Sequence, residues 1–272
     1  MQVTKETVEQ WICGFVREYE QRAEISTKWG SPLVGFARAE SDYIQNLPEL
    51  IGFTHGLPQD VVPDASIVIA YYVPFTRGLA KKNDTGNLLA APEWALAYEE
   101  TNAMFKEWNS YLIERLKKAG YRAAVSPKTN TFDRNALKSD WSHRHFAYAA
   151  GLGNFGVNNM LITRNGCCGR FGTIVTNLDA QADQPAKEEY CLYKKNGSCG
   201  VCMKNCPAGA LTREGYNRNA CYALLRKNSA VYTEFGSSYS DEEAGNQGSE
   251  VCGKCITQSP CAFTGFGDGN RK

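Results

Sequence analysis

Apolar residues near the start of the chain recur at helical spacing. Val8, Trp11, Ile12, Phe15 and Val16 share one face, which predicts a helix from Thr4 to about Glu24. Two short apolar runs follow, Leu33 to Ala37 and Ala65 to Val73. Both read as strands, the second stopped by Pro74. Within it, Tyr71 and Tyr72 are expected to alternate, one ring inward and one outward. The longest helical pattern starts at Pro92, suited to a first turn, and runs to Ala119, with Gly120 as its C-terminal cap. A strand over Tyr121 to Val125, a helix over Ser142 to Ala150, and strands over Met160 to Thr163 and Phe171 to Asn177 complete the pattern. Asp179 to Glu189 is polar, contains Pro185 and reads as a linker. Glu234 to Glu250 is Ser/Gly-rich and reads as a loop.

The composition allows a sizeable core: 43% of the 272 residues are apolar and 11% aromatic. That length suits one large domain or two. Thirty basic and 29 acidic residues leave a net charge of +1, so there is no polyelectrolyte argument for nucleic acid. No apolar run reaches the length of a membrane span. The N-terminus lacks the apolar region of a signal peptide, which favours a reducing cytoplasm over a disulfide framework.

The cysteines change the picture. Eight of eleven lie from Cys191 onward. The segment Cys199-x2-Cys202-x3-Cys206-Pro207 reproduces the end of the bacterial two-cluster ferredoxin run, in which the last cysteine ligates the other cluster. Pro207 turns the chain there, because it has no N–H and a fixed φ. Cys191 precedes this run, and Cys221, Cys252, Cys255 and Cys261 follow it. Crossed ligation then gives Cys191, Cys199, Cys202 and Cys261 to one [4Fe-4S] cluster, and Cys206, Cys221, Cys252 and Cys255 to the other. Zinc is the rival: Cys199, Cys202, Cys252 and Cys255 make an all-cysteine tetrahedral set. It leaves the other four unexplained.

Gly151-Leu-Gly153-Asn-Phe-Gly156 matches G-x-G-x-x-G. A dinucleotide site needs a strand before it and a helix after it, and here the preceding stretch reads as helix. The glycines still permit positive φ and close backbone approach to a helix or a flat ligand. His143 and His145 are two apart and do not share a helix face; a satisfied or solvent-facing role is preferred to a ligand role. Cys13, Cys167 and Cys168 read as buried packing groups.

Four segments now resemble one family. They are Ala149-Ala-Gly-Leu-Gly-Asn-Phe-Gly156, Leu161-Ile-Thr163, Arg170 to Leu178, and the cysteine run ending Cys206-Pro-Ala-Gly-Ala-Leu211. Together they are similar to the epoxyqueuosine reductases. The resemblance implies an α+β protein. Residues 1–184 would form an α/β, nitroreductase-like domain of the cobalamin-reductase type, related also to reductive dehalogenases. Residues 185–272 would form a two-cluster ferredoxin-like module. Electrons would pass through two [4Fe-4S] clusters to cobalamin. Gly151, Gly153 and Gly156 would let a macrocycle approach. Asn154, Asn158 and Asn159 would offer amides, and His143 and Arg170 edge contacts. A low-potential donor such as ferredoxin or flavodoxin, and a small-molecule or corrinoid substrate, are the implied partners, with no specific nucleic acid and no membrane.

Two motifs depart from the family's pattern. Its Val-Asp-Ser/Thr-x-Pro falls near Val125-Ser126-Pro127, so Ser126 stands where an aspartate proton donor is expected; Asp133 and then Asp140 are the substitutes. Its Gly-Trp-x-Gly-Lys becomes Gly153-Asn-Phe-Gly-Val157, without the lysine. These departures, and the lack of tRNA-gripping helical repeats before Lys272, point away from epoxyqueuosine reduction in tRNA. The expected function is an iron–sulfur oxidoreductase. An electron-transfer or activating partner for another protein, and a zinc-stabilised binding module, are the alternatives.

Overall fold

Ile67-Val-Ile-Ala-Tyr-Tyr-Val-Pro74 is apolar at every position, so neither side of it can face water. In the computed structural model, which describes residues 3–84, 86–236 and 248–266, it forms strand β2 (Ile67–Pro74), buried along its whole length. β2 lies between β1 (Leu33–Arg38) and β8 (Gly169–Thr176), antiparallel to both. β3 (Ala123–Ala124) pairs with β8, and the order is β1-β2-β8-β3. β4 (Phe132–Asp133) with β5 (Lys138–Ser139), and β6 (Gly153–Phe155) with β7 (Leu161–Thr163), make two small ribbons.

Alternation along β2 divides the interior in two. Ile67, Ile69, Tyr71 and Val73 join one core, with Val8 and Ile12 of helix Lys5–Tyr19 and Trp108 and Leu112 of helix Pro92–Lys118. Val68, Ala70 and Tyr72 join the other, with Phe146 of helix His143–Ala149 and Ile44 and Leu47 of the short helices Asp42–Gln45 and Leu47–Leu50. Both tyrosines are therefore inside. Tyr71 donates to Asn109 Oδ1 at 2.7 Å, and Tyr72 packs on Phe171 at 4.6 Å between ring centres. The outward ring expected from alternation is absent because helices cover both sheet faces. Each such buried side chain contributes roughly 1.5–3 kcal/mol.

The first helix starts where Thr4 Oγ1 accepts the Thr7 N–H, but it ends at Tyr19, short of Glu24. Glu20 to Glu24 offers only Ala23 to a core, so nothing there holds another turn. The strand expected over Tyr121 to Val125 shortens to β3. Arg77–Asn83 and Arg218–Val231 are helices that periodicity did not reveal. The linker is extended and pinned. Asp183 accepts from Lys5 Nζ at 2.7 Å and from the Phe36 N–H at 2.8 Å. Of the expected loop from Glu234 to Glu250, residues 237–247 lie outside the described residues. Among the described residues, no helix is long and apolar enough to cross a membrane.

The cysteine-rich segment is sewn into the rest. Cys191, Val251, Ile256 and Ala262 share the core of Ile69 and Trp94. The buried Asn83 donates to the Cys252 carbonyl at 2.8 Å and accepts the Ala91 N–H at 2.9 Å. Lys254 Nζ donates to the Asn83 carbonyl at 2.6 Å.

Candidate metal centres and adjoining cavity

Short local structures aim the cysteines. Cys191 precedes the helix Leu192–Asn196, which Gly197 ends at φ 73°. Cys202 lies on the single turn Val201–Lys204, and Cys206 follows it. Cys221 sits in the first turn of Arg218–Val231, which Asn217 caps by accepting the Ala220 N–H at 3.0 Å. Gly253, at φ 72°, lies between Cys252 and the turn Lys254–Thr257 that carries Cys255. A Cβ on Gly253 would meet the Trp94 ring at 2.4 Å, so glycine is required there on two counts. Cys261 belongs to the 3-10 turn Pro260–Ala262.

These turns sort eight cysteines into two sets. Cys191, Cys199, Cys202 and Cys261 line a pocket of about 340 Å³ with apolar neighbours such as Val157 and Ile162. Cys206, Cys221, Cys252 and Cys255 line one side of a much larger cavity, about 1570 Å³ out to its mouth. Burial, and then the neighbouring Cys261, Cys191 and Cys199, push the Cys202 thiol up to about 11. Burial, with Cys221 and Cys206 nearby, pushes Cys252 up to about 11 as well. Cys255 is raised well above the ordinary range, first by burial and then by Cys252, Cys221 and Cys206. All eleven cysteines are free of disulfides. Thiols so placed become thiolates only when a cation offsets their charge, as a metal does. Among the described residues, no set of three or more His, Cys, Asp or Glu side chains is gathered tightly enough for a single metal ion.

The part of the large cavity that water can reach, about 420 Å³, lies within the roughly 300–1000 Å³ of an ordinary small-molecule pocket. His143, Arg144, Asn158, Asn159 and Arg170 line the same cavity. His143 Nδ1 pairs with Thr173 Oγ1 at 3.0 Å, and burial pushes its pKa down to about 4. Arg170 donates to Asn102 Oδ1 at 2.9 Å and lies 3.8 Å over the Tyr98 ring. Arg144 donates to the Asn159 carbonyl and to Met160 Sδ. Neither guanidinium has a carboxylate partner among the described residues. Unpaired charge at a buried wall is costly and favours an anionic occupant.

Other residues singled out from sequence stand elsewhere. Gly151, at φ 70°, follows the helix His143–Ala149, and a Cβ on it would strike the Gln184 carbonyl at 2.3 Å. Gly153 is closed on by the Ile162 carbonyl, and Gly156 by Asn158 and Ile162. The close approach these glycines permit is thus made by the chain itself. Asn154 donates to the Ala186 carbonyl at 3.2 Å, away from the cavity. Asp133 is exposed and accepts the Asn135 and Ala136 N–H groups at 2.8 and 2.9 Å. Those bonds, Ala136 first, hold its pKa low, which suits a turn and not a proton donor. Asp140 accepts from Thr54 Oγ1 and does not line the cavity. Ser126 is buried and caps its own turn by accepting the Lys128 N–H. Val157 lines the smaller pocket. The ionisable wall groups that sequence reasoning missed are Tyr98, Arg144, Tyr216 and Glu250. Burial, then a hydrogen bond with Cys221, pushes the Tyr216 phenol up. No short-range signal marks Tyr216 or Glu250. Arg144 sits between the two histidines that were noted.

An antiparallel sheet covered by helices on both faces, with two cysteine-lined pockets beside it, defines a mixed helix-and-sheet protein with a candidate metal-binding segment. No family profile matches the chain. It is 26% identical over 185 residues to an epoxyqueuosine reductase of Bacillus anthracis, covering 65% of this chain and 44% of that one. It is 36% identical over 90 residues to the epoxyqueuosine reductase of Lactococcus garvieae, covering 32% and 24%. Among solved structures, it is similar to an epoxyqueuosine reductase bound to an epoxyqueuosine-modified tRNA-Tyr stem loop. That match has a TM-score of 0.54 and 20% identity, over 94% of this chain and 66% of that one. The enzyme of Streptococcus thermophilus matches with a TM-score of 0.52 and 17% identity, over 91% and 65%. The chain spans less than half the length of the curated relatives it matches. The chain is thus similar in sequence to epoxyqueuosine reductases and shares their fold over most of its length.

Proposed function

We propose that the chain is an iron–sulfur oxidoreductase that carries single electrons through two [4Fe-4S] clusters into the large cavity, where a corrinoid or a substrate receives them. The observation that carries this reading is the double use of one wall. Cys206, Cys221, Cys252 and Cys255 are a four-thiol set and also line the cavity. The other set lies in the smaller pocket, and Asn158 borders both spaces. That order suits a donor-side cluster followed by a cavity-side cluster. Eight thiols in two sets of four, with none left over, suit two polynuclear clusters better than a single zinc ion, which would use only four of them. In this reading residues 185–272 supply a ferredoxin-like module, residues 1–184 supply part of the cavity wall, and a low-potential ferredoxin or flavodoxin supplies the electrons in the cytoplasm.

The guanidiniums of the cavity, without a carboxylate partner among the described residues, suit a ligand with anionic groups, and the open mouth gives a corrinoid its way in. His143, Asn158, Asn159 and Arg170 would hold it. The corrinoid, when bound, supplies one-electron metal chemistry. Arg170 and Arg144 fix anionic groups by charge and hydrogen bonds. Neutral His143 is oriented by Thr173. The names of the relatives favour epoxyqueuosine as the substrate. Ser126 at the expected aspartate position favours a second reading, a reductase for a different substrate.

Anaerobic purification with iron, sulfide, zinc and corrinoid analysis is the test. We expect about eight iron and eight sulfide per chain, the content of two cubanes, and uptake of added cob(II)alamin. Clusters without corrinoid uptake would leave an electron-transfer partner. Zinc without iron would sink the proposal. Restoration of queuosine in cells lacking their own epoxyqueuosine reductase would select the first substrate reading.

A further inference from the structure

Cys167 is outside both four-cysteine sets, yet its sulfur stands 3.9 Å from that of Cys261. Backbone bonds hold the two side by side. The Cys167 N–H donates to the Cys261 carbonyl at 3.0 Å, and the Cys168 N–H to the Ala262 carbonyl at 2.9 Å. Gly166 makes this approach possible: a Cβ there would meet the Ala262 carbonyl oxygen at 2.2 Å. On its other side the Cys167 sulfur faces Asn158 Nδ2 at 3.8 Å. Asn158 cannot turn over, because its Oδ1 accepts the Met160 N–H at 3.1 Å. An amide NH2 only donates, so the Cys167 sulfur accepts from Asn158. Its own hydrogen is then directed to Cys261. Cys167 is completely buried, so no water competes for that hydrogen.

We propose that Cys167 donates a hydrogen bond to the Cys261 thiolate and thereby raises the reduction potential of the [4Fe-4S] cluster in the smaller pocket. This deepens the proposed function and rests on it. Reduction adds one negative charge to a cluster and its thiolates. A donor aimed at a ligand sulfur is favoured more after reduction than before, so it raises the potential. Cys167 acts through Cys261 and is a positioning residue. In the second set, Cys206 accepts the Ala210 N–H at 3.2 Å, a backbone donor unaffected by a change at Cys167. The inferred effect therefore falls on one cluster only.

The experiment compares wild type, Cys167→Ala and Cys167→Ser as anaerobically purified holoproteins. Iron and sulfide are assayed first, then both midpoint potentials by titration followed with electron paramagnetic resonance. All three should keep both clusters. Cys167→Ala should shift one midpoint downward and leave the other in place. Cys167→Ser, whose hydroxyl still donates, should recover most of that shift. Two unchanged midpoints in the alanine variant would overturn the inference. So would loss of one cluster from it, which would make Cys167 a ligand. Wild type without iron would instead defeat the two-cluster reading itself, before any potential is read.

Discussion

Single side chains separate the two proposed clusters more sharply than the chain does. Cys202 belongs only to the smaller pocket and Cys255 only to the cavity wall. Cys202→Ser and Cys255→Ser should therefore each remove about half the iron, the content of one of two cubanes, and leave the other cluster's spectrum in place. Equal loss of both signals in either variant would contradict separate sites. The two sets were legible because C-x2-C and Cys-Pro spacings act over one backbone turn. The glycines were legible only in part. A positive φ at Gly151 follows from its place after a helix, but nothing nearby in sequence announces that Gln184 crosses there. Asp133 and Asp140 show the same limit. A carboxylate's position in a loop is decided by whichever backbone N–H groups it finds, and Asp133 finds those of Asn135 and Ala136.

Among the elements, the helix His143–Ala149 concentrates the unusual electrostatics. Burial, with arginine neighbours adding to it, pushes both His143 and His145 down to about 4. Unfolded histidine titrates near ~6.5. Between those values the unfolded chain binds more protons than the folded one, so stability falls as pH falls from about 6.5 towards about 4. Below that window nothing more is lost from this source. Thermal melts should show His145→Gln losing less Tm than wild type across it. Parallel profiles would mean that the ring is not held neutral by the fold. Element legibility followed length. Pro92–Lys118 repeats its pattern over 27 residues and was read closely, whereas helices of four residues such as Asp42–Gln45 are too short to show a period. Arg218–Val231 is long enough, but it buries only Leu224, Asn228 and Ser229, so its apolar stripe is faint.

In the molecule as a whole, the union of the two segments was invisible in any local pattern. It depends on contacts such as those of Asn83, which joins residues far apart in the chain. Asn83→Ala would leave a part-buried carbonyl at Cys252 and a buried N–H at Ala91 unpaired. It should cost about 2–3 kcal/mol, the desolvation penalty of such groups. Urea melts should record the loss, and an unchanged midpoint would show that the junction is held elsewhere. The shared wall of the large cavity has one more consequence, for damage by air. A space wide enough to admit a large ligand also admits dioxygen, and under the proposed ligation the cluster of Cys206, Cys221, Cys252 and Cys255 would be reached first. In the other set Cys191 and Cys202 are buried, whereas none of these four is. Brief aeration of the empty holoprotein should bleach one signal ahead of the other, and a ligand filling the cavity should close the gap between them. Occupancy would then serve as armour as well as chemistry, with the resting protein the fragile form.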